Sequence, residues 1–85
     1  MNRSRAEVEA EVARVRALLE KAGVDPDELR ENAWAVMRSF SEANPNATIG
    51  EVMRTGACWV AAIIETETGE EVVIDEESFA KLGVQ

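Results

Sequence analysis

Histidine and tyrosine are absent from this chain of 85 residues, and cysteine occurs once. Without histidine the commonest general base near neutral pH is missing. A single Cys58 supplies no ligand cluster for zinc. Nor can it form an intrachain disulfide, which fits a reducing compartment, so a cytoplasmic protein is expected. No run of about 18 apolar residues occurs, so no membrane-spanning helix is expected. The opening residues Met1–Arg5 carry no apolar signal-peptide core. Glycine is sparse, and Gly50, Gly56 and Gly69 stand alone, so no phosphate-cradling glycine loop is present. Positive charge is also scarce: nine bases face 17 acids, for a net charge of −8. Phosphate backbones and anionic membranes call for clustered Lys and Arg. Neither direct nucleic-acid binding nor membrane binding is therefore expected.

What the chain does contain is typical of a small globular protein, 46% apolar and 31% charged. Its length is that of one domain, so residues 1–85 are read as a single helical unit. The helix starts are well marked. Ser4-Arg5-Ala6-Glu7 has the form of a capping box, in which serine and glutamate satisfy each other's end of the first turn. Val8, Val12, Val15, Leu19 and Ala22 then recur at helical spacing, with Leu18 beside them. Arg3–Glu7 and Arg5–Glu9 have ion-pair spacing, and Gly23 is placed to end the helix. That stripe could pack inside a bundle or pair with a second copy of the chain.

A second start is Asp25, with Pro26 at the first helical position and Glu28 placed to complete a box. Val24 and Leu29 have the spacing of a hydrophobic staple. Leu29, Ala33, Val36, Met37 and Phe40 make one face, with Trp34 at its edge. Asn44-Pro45 ends the element, asparagine being tolerant of left-handed dihedrals. A third start, Thr48-Ile49-Gly50-Glu51, is again a capping box. Ile49, Val52, Met53, Gly56, Trp59, Val60, Ile63 and Ile64 fall on one arc, which predicts a helix over about 49–66 closed by Gly69. Gly56 lies on the buried arc, where it could permit close helix approach. The last start is Asp75, with Ile74 and Phe79 as a staple, acids in the first turn, Lys81 in the last and Gly83 as the stop.

The expected fold is all-α, a small bundle of three main helices plus a short C-terminal helix. The alternative is α+β, with a β-hairpin at about 59–74 turning at Gly69 and returning through Val72-Val73-Ile74. A helix-turn-helix reading of 48–65 has the wrong chemistry. Its recognition helix, Cys58–Glu65, holds no Lys, Arg, Asn or Gln to read bases.

No enzyme is expected. Ser4, Ser39, Ser41 and Ser78 have no activating partner in the sequence. Cys58 falls on the polar side of its helix, with Arg54 one turn earlier. No cofactor is implied. The distinctive feature is an acidic stretch: Glu65, Glu67, Glu70, Glu71, Asp75, Glu76 and Glu77 lie within thirteen residues that contain no base. Such a concentration projects a negative field and would steer a protein with a basic surface. Small acidic inhibitors of phages and mobile elements, including anti-CRISPR and anti-restriction proteins, are similar in size and charge. The expected function is therefore protein binding. The sharper version is an inhibitor or regulator occupying the basic surface of a nucleic-acid-handling protein. The plainer alternative is a helical oligomerisation or adaptor module, and a remote one is a regulator derived from a helix-turn-helix.

Overall fold

Capping and periodicity together divide the chain into four helices: α1 (Arg5–Lys21), α2 (Pro26–Ala43), α3 (Ile49–Thr68) and α4 (Glu76–Lys81). The structure is a computed structural model that describes residues 4–82, and among these there is no strand. The expected bundle of three main helices and a short fourth is what forms. The alternative hairpin at 59–74 does not. Residues 59–68 continue α3, and Val72–Ile74 run as an irregular connection into α4.

The two boxes with hydroxyl caps close as the sequence predicts. Ser4 Oγ accepts from the Glu7 amide at 3.2 Å and the Glu7 carboxylate accepts from the Ser4 amide at 3.3 Å. Thr48 and Glu51 repeat this at 3.2 and 2.8 Å. Asp25 behaves differently. It caps α2 by accepting from the Asp27 amide at 2.9 Å, and Glu28 makes no reciprocal bond. A box here would bring a second carboxylate against the charged cap, a repulsion that neutral serine and threonine do not impose.

Helix ends follow the same local logic. Gly23 adopts φ +74°, and the amides of Gly23 and Val24 return to the carbonyls of Glu20 and Leu19. This is the Schellman arrangement. Gly69 closes α3 at φ +77°. Asn44 departs from expectation: it sits at φ −130°, not left-handed, and its side-chain amide donates to the Phe40 carbonyl at 2.9 Å. The following Pro45 keeps Asn44 out of the helical region. Arg5–Glu9 pair at 3.3 Å on α1. The Arg3–Glu7 pair and the Gly83 stop lie outside the described residues.

α3 is the centre of the molecule. α1, α2 and α4 all pack on it, and α1 also packs on α4. Three-sided wrapping explains why residues 59–64 are apolar all round, a feature that periodicity alone left open to a strand. It also buries Ala57, which the single-arc reading placed nowhere. Val15 and Leu18 of α1, Leu29, Ala33 and Met37 of α2, Val60 and Ile64 of α3, and Phe79 of α4 form one continuous core. The α1 stripe is spent inside the bundle, with Val8, Val12, Val15 and Leu18 all buried.

α3 runs without a break through Gly56, so the turn that a helix-turn-helix needs does not exist. Gly56 is instead where two helices meet a third. A Cβ built there would stand 2.7 Å from Phe79 Cζ of α4 and 2.9 Å from Met37 Sδ of α2. No helix is long and apolar enough to cross a membrane among the described residues.

Candidate functional site

The fold sorts the seven acids of the 65–77 stretch by structural duty. Glu65 and Glu67 lie in the last turns of α3, Glu70 and Glu71 in the connection, and Glu76 and Glu77 in the first turn of α4. Asp75 is the α4 cap, and its carboxylate accepts from the Ser78 amide at 2.8 Å. The bases that the stretch lacks come from elsewhere in the chain. Arg14 and Lys21 of α1 both approach Glu70, each at 3.7 Å. Arg54 of α3 reaches Glu76 at 3.1 Å. All three pairs are half exposed, so each contributes between about 0 and 1 kcal/mol to stability. Their larger effect is on the field, because three cations now sit among the seven anions.

Four of the acids remain outward. Glu65, Glu67, Glu71 and Glu77 are exposed, and none has an ion-pair partner among the described residues. The structure thus divides the stretch into Glu70 and Glu76, which tie elements together, Asp75, which caps α4, and four glutamates open to solvent. Further polar links fasten α4 to α1: Ser78, fully buried, donates its hydroxyl to Glu11, and Arg16 donates to the Lys81 carbonyl at 3.0 Å.

Cys58 lies midway along α3, in a shallow cleft shared with Arg54, Asp75 and Glu76. The thiol is exposed on the outer face of α3. Arg54, one turn before it, is drawn to Glu76. Among the described residues no three His, Cys, Asp or Glu side chains are grouped to hold a metal. Glu51 is held below the usual carboxylate value of 4.5, first by the Thr48 amide and then by the Thr48 hydroxyl, with a smaller pull from Arg54. That is a capping effect at a helix start, and the group is fully exposed.

A second surface stands out on the opposite chemistry. Large apolar side chains lie in the open at Trp34, 43% exposed, and Ile49, 80% exposed. They border a groove of about 570 Å³ between α2 and the start of α3. Met37, Val52 and Met53 form its apolar floor, and Arg38, Ser41 and Glu42 its α2 rim. Trp34, Arg38, Ser41 and Glu42 share a stripe because they are spaced four, three and one along the helix.

Arg38 and Glu42 are both exposed and neither has an ion-pair partner among the described residues. Their order along the helix, base before acid, is the weaker orientation for an (i, i+4) pair. Ile49 was expected to be buried with the rest of its arc. It occupies the first helical position of α3 and stays 80% exposed at the edge of the groove. Trp59, by contrast, is partly buried and packed against the core.

In comparisons with protein families, with curated proteins and with solved structures, nothing matches this chain, and the geometry of its surfaces is what bears on function.

Proposed function

We propose that the chain is a small acidic protein-binding module that docks through the α2–α3 groove. The observation that carries this reading is the pairing of an exposed tryptophan with an exposed isoleucine across an apolar floor. Tryptophan is the commonest anchor of protein interfaces, and rigid aromatic area costs little entropy to immobilise. The polar groups of the groove, Arg38, Ser41 and Glu42, stand on its exposed α2 rim around the apolar floor, the arrangement of a protein interface with a polar edge. A cytoplasmic setting is in keeping with one cysteine in 85 residues.

A photo-crosslinking residue tests the reading. Placed at Ser41 on the groove rim it should yield a protein adduct in cells, whereas the same residue at Ala17, exposed on α1, should not. Trp34→Ala should abolish the Ser41 adduct while leaving the helical circular dichroism intact. No adduct from Ser41, or one indifferent to Trp34→Ala, defeats the proposal.

The second reading is the electrostatic one, an inhibitor or regulator of the phage or mobile-element kind, anti-CRISPR or anti-restriction proteins among them. It is favoured by Glu65, Glu67, Glu71 and Glu77, which face solvent without an ion-pair partner among the described residues. On this reading those four capture a basic, nucleic-acid-handling protein. Replacing all four with Gln should then slow association with such a partner and flatten its salt dependence. The groove reading gives the same variant an unchanged Ser41 adduct.

A further inference from the structure

We infer that the occupant of the α2–α3 groove is a second copy of this chain, joined by a two-fold axis that crosses α2 near residue 40. The inference rests on the groove being a docking surface and adds the identity of what docks. Its basis is that the groove carries its own complement. The charged residues lining the groove are one cation, Arg38, and one anion, Glu42, both exposed and without an ion-pair partner among the described residues.

A two-fold interface brings the same patch against itself, so that residue i meets residue j and j meets i. With two α2 helices antiparallel about residue 40, Arg38 of each copy faces Glu42 of the other. Two reciprocal ion pairs form from groups that are otherwise unpaired. The same register uses the apolar groups. Trp34 lies six residues from the axis, about 9 Å along the helix. The other copy's α2 ends at Ala43, about 4.5 Å from the axis, so Trp34 extends past it toward the loop that carries Ala47 and leads into Ile49. Each tryptophan covers the other's exposed isoleucine.

The alternative self-pairing surface, the Val8–Leu18 stripe of α1, is already buried. The patch that meets its copy is small: one tryptophan, one isoleucine and two rim charges on each side of a short apolar floor. The dimer is accordingly weak, with a dissociation constant on the order of 10–100 μM.

Sedimentation equilibrium on the parent chain, Arg38→Glu and Glu42→Arg, each alone and in an equimolar mixture at about 0.15 M salt, tests the inference. Each single variant opposes like charges in both reciprocal pairs and should dimerise about tenfold more weakly than the parent. Mixing them restores both pairs. The acid introduced by Arg38→Glu meets the base introduced by Glu42→Arg, and the unaltered Arg38 of one variant meets the unaltered Glu42 of the other. The mixture should therefore dimerise within about threefold of the parent. Both positions are exposed, so the fold should survive, and circular dichroism checks it. A parent that stays monomeric to about 1 mM overturns the inference but leaves the groove reading standing if Ser41 cross-links to a different protein. A parent that dimerises while the mixture does not recover places the dimer on another face and also overturns it.

Discussion

Gly56 is the residue on which the packing of α3 depends. Two opposing terms act on a methyl group there. Alanine would gain about 1 kcal/mol of helix propensity over glycine. Its Cβ would stand 2.7 Å from Phe79 Cζ and 2.9 Å from Met37 Sδ, inside van der Waals contact. Met37 can bend away, but Phe79 is fully buried and its ring has nowhere to go. Overpacking of this kind costs about 1–3 kcal/mol, so it wins. Gly56→Ala should lower stability by about 1 kcal/mol in urea unfolding, the reverse of an exposed helical glycine. Glu51 bears on stability through its charge instead. Its carboxyl is held below the ordinary value by Thr48. A depressed folded-state pKa contributes stability above the unfolded value, and that contribution is lost as pH falls through the folded value. The parent should therefore be more stable than Glu51→Gln at neutral pH, with the gap shrinking below about pH 4.5. Thermal melts from about pH 7 to pH 3 that show a constant gap would contradict it.

Among the elements, stability begins with caps. Asp25 satisfies one amide of α2 and should cost about 1 kcal/mol when replaced by Ala. Thr48→Ala should cost as much or more, about 1–2 kcal/mol, because Thr48 both accepts from the Glu51 amide and donates to its carboxylate. Equal midpoints for parent and Thr48→Ala in denaturant would refute this. These caps were legible in the sequence because capping is local, involving residues two or three apart. So were the helix periods, the stops at Gly23 and Gly69, and the edge position of Trp34. What was not legible is everything set by which helix neighbours which. Glu70 is met by Arg14 and Lys21, and Glu11 by Ser78, across most of the chain's length. No spacing rule links such positions, so a stretch without bases in sequence became partly neutralised in space. Ile49 was misplaced for a related reason. The wheel gives its angle on α3 but not how far α2 extends to cover the first turn, and Ile49 is left 80% exposed.

For the molecule as a body, the net charge of −8 decides what can approach. Duplex DNA should not bind at physiological salt, and a gel-shift affinity at micromolar or better would contradict that. The same charge opposes the proposed dimer. The shortest dimension of the molecule is 20 Å, so the centres of two copies lie at least about that far apart. Treated as point charges at about 20 Å, two such copies repel by several kcal/mol at 0.01 M salt but only about 1 kcal/mol at 0.15 M. The two Arg38–Glu42 pairs, exposed at the rim, return between about 0.2 and 1 kcal/mol each, and their few-ångström range leaves them less sensitive to screening. The long-range term therefore sets the sign. Self-association through the α2–α3 groove should tighten as salt rises from about 0.01 to 0.15 M. Electrostatic capture of a basic protein by Glu65, Glu67, Glu71 and Glu77 must weaken over the same range. Sedimentation equilibrium across that salt series separates the two. Dimerisation that loosens steadily with added salt would mean that attraction between unlike charges, and not the apolar contact of Trp34 with Ile49, holds the copies together.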